Sequence, residues 1–295
     1  MRSEADAYKR DLVEGFETMR QYAPLVRLRD GRWTPHYPSR LYRRGRDAGW
    51  IRETLEGSVY LLLSDLYPCT GPEADWILDD FQDNRYPAPP YGYLIPHFEK
   101  TWFDRAGFSI QPNLLAGLLP YLERDEPEVY IWMFYNAWAA CYREELNAMA
   151  EHPLPFLGFS NAANIKTSDE ANAMMWLRYM FVYGKDGLLH LGRAIPRAWF
   201  AQPEPFEARD VVTYFGKAGV RYVAVPEQNA LHATAFLDIE DPPEQILLRF
   251  RHPERKPIVD VLVDGVLHTA FDAETGDIDL TDKAGTIEIK ARYVK

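Results

Sequence analysis

Acidic side chains stand beside aromatic or polar ones at two places in this chain where a proton could be transferred. Glu170, together with Asp169, opens a predicted helix, and Glu99 lies shortly before Trp102. A carboxyl group against an aromatic wall is a suitable proton donor, and a second carboxylate across a scissile bond can act as base. The alternative for Asp169 and Glu170 is that they stabilise the start of the helix, where negative charge is favourable.

A third acidic cluster, formed by Asp79, Asp80 and Asp83, lies beside a long predicted loop. Its oxygens could serve as a general acid or bind Ca²⁺, but the segment lacks the Asp/Gly alternation of a calcium-binding loop. We expect instead a solvated helix end at which the acids pair with Arg85. Glu56 lies deeper in an apolar predicted helix, so it needs a partner if it is buried, and both a functional and a structural role stay open.

The first long loop combines ring and guanidinium side chains that suit the recognition of hydroxyl groups. Trp and Arg side by side offer stacking and bidentate hydrogen bonds, which would bind sugar hydroxyls or a uronate carboxylate. The alternative is an Arg–Asp network that holds the loop in place. The candidate binding residues of this region are Trp33, His36, Tyr42, Arg43, Arg46, Asp47 and Trp50. Further candidates downstream are Asp83, Arg85, Trp102, Gln111 and Asn113.

Three long connections position these side chains. They cover residues 22–47, 83–109 and 152–168, and they alternate with minimal turns such as residues 123–127. In antiparallel helical hairpins, connections of one parity lie at the same end of the assembly, and loops of this length are more often functional than accidental. The sequence therefore predicts one active face.

Charge and motif content exclude several classes of function. The chain of 295 residues has a net charge of −11 and a pI near 5.2, which argues against nucleic acid or an anionic membrane surface as the main partner. The histidines are scattered without zinc-ligand spacing, and no phosphate-binding or dinucleotide motif occurs. We predict a neutral ligand, no cofactor and no metal.

The two cysteines, Cys69 and Cys141, are too few for a disulfide framework and are interpreted as buried thiols. No apolar run is long enough for a membrane helix, and the N-terminal segment lacks the apolar core of a signal peptide. As written, the chain is expected to be a soluble cytoplasmic protein without a membrane partner.

Periodicity divides the chain into a helical domain, residues 1–203, and a β-sandwich domain, residues 204–295. Helical spacing of apolar residues predicts helices over 5–20, 49–66, 72–81, 112–122, 126–149 and 169–183, with Gly184 as the stop of the last. Alternation and β-branched runs predict antiparallel strands over 220–225, 230–237, 245–251, 258–263, 266–271 and 286–293, with Asp264-Gly265 as a hairpin turn. The sandwich carries no catalytic spacing and is assigned a structural role.

The helical half followed by a sandwich resembles the (α/α) toroid of the six-hairpin glycosidase superfamily. The stretches that carry the resemblance are residues 111–114 (QPNL), 130–138 (YIWMFYNAW), 167–172 (TSDEAN), 175–180 (MWLRYM) and 194–200 (AIPRAWF). They are similar to the last hairpins of the ring and its exit into a C-terminal sandwich. The implied fold is α+β and multidomain, with partial toroid-type hairpins preceding an antiparallel β-sandwich.

The resemblance implies a glycan or oligosaccharide substrate and hydrolysis by paired carboxylates, with Glu170 near the position of the base. The candidate catalytic residues are Glu170, Asp169, Glu99 and Glu56. The alternative is a non-catalytic carbohydrate-binding or interaction module. Because a full ring needs about twice as many helices, we expect a second copy of the chain, another chain or an upstream half to complete it. A compact, unclosed helical array is the remaining alternative.

Overall fold

The computed structural model describes residues 2–22, 25–28, 30–36, 59–80, 82, 118–144, 146–149, 153–154, 159–160, 165 and 167–294. The chain divides into two compact units, Met1–Ala173 and Met174–Lys295. The division into a helical and a sandwich domain at residue 203 stays a prediction about folding units. None of the described helices is long and apolar enough to cross a membrane.

Helices predominate in the described part of the N-terminal unit, and most predicted helices are confirmed there. The helices are α1 (Arg2–Tyr22), α2 (Tyr60–Leu63), α3 (Pro72–Asp80), α4 (Leu118–Glu123), α5 (Pro127–Cys141) and α6 (Thr167–Phe181), the last of which continues into the second unit. Short strand pairs interrupt them: β1 (Leu25–Arg27) with β2 (Trp33–Pro35), β3 (Tyr142–Arg143) with β4 (Ala148–Met149), and β5 (Pro153–Leu154) with β6 (Phe159–Ser160).

One helical hairpin is formed by α4 and α5, with the minimal turn that the sequence predicts. Pro127 occupies the first turn of α5, where its missing N–H costs no helical hydrogen bond. The hairpin buries Tyr121 and Leu122 from α4, and Tyr130 and Met133 from α5. A closed toroid of such hairpins stays a prediction.

The helix predicted over residues 126–149 is wrong in its second half. The helix ends at Cys141 and the chain turns back through the β3–β4 hairpin. Asn147 takes a positive φ of 49°, which Asn tolerates in turns, and the Tyr142 hydroxyl donates to its Oδ1 at 2.9 Å. Local turn chemistry therefore overrides the helical periodicity of this segment.

The C-terminal unit consists of two sheets, consistent with the predicted β-sandwich. Its strands are β7 (Val182–Lys185), β8 (Leu188–Leu191), β9 (Phe206–Thr213), β10 (Gly216–Val225), β11 (Ala230–Ile239), β12 (Gln245–Arg249), β13 (Ile258–Val263), β14 (Val266–His268), β15 (Asp277–Asp279) and β16 (Gly285–Tyr293). The sheet orders are β14-β13-β16-β11-β10-β9 and β15-β12-β8-β7.

Several features of the sandwich differ from the sequence-based prediction. Strands β7, β8, β9 and β15 were not predicted, and β8 pairs with β12 in parallel, so the sandwich is not wholly antiparallel. Gly184 lies inside β7 rather than at a helix stop, because α6 ends at Phe181. The Asp264-Gly265 turn is confirmed: Val263 and Val266 are register partners, and both turn residues have the positive φ of a two-residue hairpin.

Tyr222 of β10 connects the two sheets at the centre of the sandwich. Its ring packs edge-on against Phe200 and Phe250, at centroid distances of 5.2 and 5.7 Å. Its hydroxyl donates to the Arg249 carbonyl of β12 at 3.2 Å. Burial raises the pKa of Tyr222 far above its usual value, so the hydroxyl keeps the proton that it donates.

Gly192 is required by this contact. It has a φ of +79°, and a Cβ built on it would lie 2.1 Å from the Tyr222 hydroxyl oxygen. Gly265 has the same φ, but nothing lies within 4 Å of the equivalent Cβ position. A substitution at Gly265 therefore measures the cost of backbone strain alone, whereas the same substitution at Gly192 adds the cost of steric overlap.

We predict that Gly265→Ala lowers the free energy of unfolding by about 1 kcal/mol, since only the left-handed backbone is penalised. Gly192→Ala should cost about 3 kcal/mol or more, because overpacking is added. Urea denaturation of the full chain measures both. In the double variant Gly192→Ala/Tyr222→Phe, part of the loss should return, and equal costs for the two single alanine variants would contradict the assigned clash.

Candidate functional site

A buried His–Asp pair joins two of the long predicted connections. His36 follows β2, and Asp80 is the last residue of α3, which packs against β2. His36 Nδ1 lies 3.4 Å from Asp80 Oδ2, and both side chains are almost fully buried. The two groups are within ion-pair distance, but their alignment does not meet the criteria for a well-formed hydrogen bond.

The position of Asp80 is costly in two respects. A carboxylate at the C-terminal end of a helix faces the negative end of the helix dipole, and burial removes it from water. The expected solvated helix end is therefore wrong for Asp80, which is 4% exposed. Its neighbour Asp79 lies 3.6 Å from the Arg32 guanidinium rather than in free solvent. A buried carboxylate next to a buried histidine is a candidate positioning group.

Strand alternation separates His36 from the nearest predicted binding residue. Thr34 and His36 are buried, whereas Trp33 is 62% exposed, so the tryptophan lies on the opposite face of β2. Within the described ranges, the hydroxyl of Thr34 has no hydrogen-bond partner. Trp33 is available to a ligand, but it does not lie on the same face of β2 as His36.

Glu170 lies in the first turn of α6 and is half-buried. The Met149 N–H of β4 donates to Glu170 Oε1 at 3.2 Å. The carboxylate thus fixes the β3–β4 hairpin to the helix instead of only stabilising the helix start. For Asp169 the structure gives the backbone alone, which is helical.

Two aromatic rings lie close to the contact between Glu170 and Met149. The rings of Trp138 and Tyr142 stack with centroids 5.2 Å apart, and both pack against the cluster formed by Met149 and Ala173. Because the Met149 N–H donates to Glu170 and Met149 belongs to this cluster, the carboxylate lies at the edge of the cluster. This pair was not predicted from the sequence; the signal that indicates it is the four-residue spacing between Trp138 of α5 and Tyr142, the first residue of β3.

Most other predicted site residues lie outside the described part of the chain. This holds for the candidate acids Glu56 and Glu99 and for the candidate ligand contacts. Those contacts are Tyr42, Arg43, Arg46, Asp47, Trp50, Asp83, Arg85, Trp102, Gln111 and Asn113. Among the described residues, no group of three or more His, Cys, Asp or Glu side chains is arranged to hold a metal ion.

Comparison with known proteins leaves the family open. No protein-family model matches the chain, and no curated protein matches it. A solved structure named "Glycoside hydrolase" is similar with a TM-score of 0.31 and 11% sequence identity, covering 61% of this chain and 31% of that chain. The chain thus spans less than a third of that protein's length. A TM-score this low carries no argument about fold or activity.

We predict that Glu170→Gln leaves the stability of the chain almost unchanged, because the amide oxygen still accepts the Met149 N–H. Glu170→Ala removes the acceptor and should cost about 1 kcal/mol, as expected for one partly buried hydrogen bond. Urea denaturation and amide hydrogen exchange at Met149 measure the difference. Equal losses in the two variants would show that the charge, rather than the hydrogen bond, stabilises this contact.

Proposed function

We propose that this chain is a carbohydrate-active protein that hydrolyses glycosidic bonds, with Glu170 as the residue that activates water. The observation that carries the proposal is the half-buried Glu170 carboxylate, oriented by the Met149 N–H beside the stacked rings of Trp138 and Tyr142. Aromatic faces bind the C–H faces of sugar rings, and an oriented carboxylate next to them can act on the bond between two rings.

The sequence resemblance to the six-hairpin glycosidase superfamily supports the same assignment. In that superfamily a carboxylate near the last inner helix acts as base, and Glu170 lies in the first turn of α6, the helix that the resemblance matches to that position. The proton donor is proposed among Glu56 and Glu99, the other acids that the sequence singles out. A glycan or oligosaccharide is the proposed partner.

The His36–Asp80 pair has a different role in this proposal. Both side chains are too deeply buried to touch a polymeric substrate. We assign them to positioning: the pair holds β2, which lies inside the first long connection, next to the end of α3, after which the second long connection follows. A substitution there should change substrate affinity and turnover together rather than remove one chemical step.

A carbohydrate-binding module without catalysis is the second candidate. It is favoured by exposed rings at helical spacing on α5, where Trp132 and Tyr135 are 44% and 46% exposed. Rings three residues apart lie on one face of a helix and can form a binding platform without any carboxylate. Turnover separates the two functions, since a module binds glycans saturably and releases them intact.

The test is a panel of neutral and uronate-containing oligosaccharides assayed for hydrolysis and binding. For an enzyme, Glu170→Gln should lower kcat by about 10²- to 10⁴-fold, the usual contribution of a general base, with unchanged unfolding and binding. The matched control is Glu128→Gln, an exposed acid in the first turn of the neighbouring helix α5, which should retain full activity. Retained turnover in Glu170→Gln would refute the assigned role, and saturable binding without turnover in the wild type would establish the module.

A further inference from the structure

The C-terminal unit has a cavity that the predicted structural role of the sandwich does not require. It lies on the six-stranded sheet and has a volume of about 190 Å³. Its walls come from strands β9, β10, β11 and β16. The chemically distinctive lining residues are Asp210, Lys217, Phe236, Asp238 and Thr286.

The register of the sheet brings these side chains together. Lys217 and Asp238 are direct partners across β10 and β11, and Phe236 is paired with Thr286 of β16. On the other side of Phe236, the partner position in β10 is Gly219, which contributes no side chain. A polar rim therefore surrounds one aromatic ring, and no side chain lies at the cross-strand position beside it in β10.

An irregularity in the edge strand β9 completes the wall. The register between β9 and β10 shifts between Ala218 and Val220, and Asp210 has a positive φ of 52°. A Cβ on Gly219 would lie 2.6 Å from the Ala208 carbonyl oxygen, so the bulged backbone occupies the space that a side chain would fill. Bulges of this kind re-aim side chains, and here the bulged strand supplies Asp210 to the cavity.

The charged groups of the cavity are available to a ligand. Asp210, Lys217 and Asp238 are exposed, and no ion pair engages any of them within the part of the chain that the structure describes. The Phe236 ring is half-buried, with the Arg209 guanidinium 4.3 Å from its centroid. The Arg209 guanidinium donates a hydrogen bond to Glu207, and this bond orients the guanidinium over the Phe236 ring.

We propose that this cavity is a second saccharide-binding site that takes a single neutral sugar ring of a glycan. The proposal rests on the proposed carbohydrate function for the class of ligand. Carboxylates accept hydrogen bonds from sugar hydroxyls and the ammonium donates one, while the C–H face of the sugar packs against the Phe236 atoms that line the cavity, beside the Arg209 guanidinium. The lining carries two carboxylates against one ammonium, and the nearby Arg209 is paired with Glu207, so uronates and other anions are disfavoured. The volume suits one ring, since pockets for larger ligands start near 300 Å³.

The experiment is an NMR titration of the full-length, isotope-labelled chain with cellotetraose, xylotetraose, mannotetraose and galactotetraose. Each is added up to about 20 mM, which detects dissociation constants in the millimolar range. We expect at least one sugar to cause saturable shifts of the Lys217, Asp238 and Gly285 amides. Asp238→Asn and Lys217→Gln should weaken that binding by about tenfold, as for the loss of one charge-assisted hydrogen bond. The matched control Lys290→Gln, on the neighbouring strand β16 outside the cavity, should bind as the wild type does.

The outcomes distinguish this site from the one on the helical unit. Cavity shifts that persist in Glu170→Gln support a separate site, and they do so even if no hydrolysis is found. The absence of cavity shifts with all four sugars overturns the site, as does binding that is unchanged in both cavity variants. A response to the diamine putrescine without one to any sugar also overturns it, because the cavity would then be a cation site. Hydrolysis of a glycan without cavity shifts would leave the proposed function intact and refute this site alone.

Discussion

The buried Tyr222 hydroxyl is the contact on which the sandwich depends. Tyr222 faces inward from one sheet, and its hydroxyl reaches the backbone of the other. This contact is possible only because residue 192 has no side chain. A phenol in an apolar core must find an acceptor, and the Arg249 carbonyl supplies it. The same segment carries a partly buried ion pair, in which the Arg249 guanidinium binds Asp277 of β15 through two hydrogen bonds. The centre of the unit therefore combines directional contacts with apolar packing, which specifies how the sheets face each other.

The N-terminal unit uses buried polar groups differently. Asp80 and Glu170 each join a helix to a neighbouring strand pair, one through a histidine and the other through a backbone N–H. Both contacts lie next to connections that the sequence marks as functional. Glu170 is the better candidate for chemistry because it is only half-buried, whereas the depth of Asp80 restricts it to positioning. Exposure, rather than residue type, separates the two roles.

Local signals in the sequence were sufficient for much of the fold. The helix at 72–80, the minimal turn before Pro127, and the Asp264-Gly265 hairpin follow from periodicity and turn chemistry that act over a few residues. The strand over 206–213 escaped prediction because the bulge at Arg209 and Asp210 interrupts its alternation and, at the sheet edge, none of its residues is fully buried. The parallel pairing of β8 with β12 could not be read from either strand, since it joins segments more than fifty residues apart.

By itself the sequence determined the class of each half, the acidic net charge, and the position of Glu170 at the start of a helix beside a long connection. These properties depend on composition and short-range spacing, which can be read directly from the sequence. The tertiary structure decided which carboxylates are accessible, since burial of Asp80 and orientation of Glu170 arise from partners far along the chain. It also decided that Lys217, Phe236 and Asp238 surround one cavity with Asp210, because cross-strand register and a bulge, neither of them visible in one strand, bring them together.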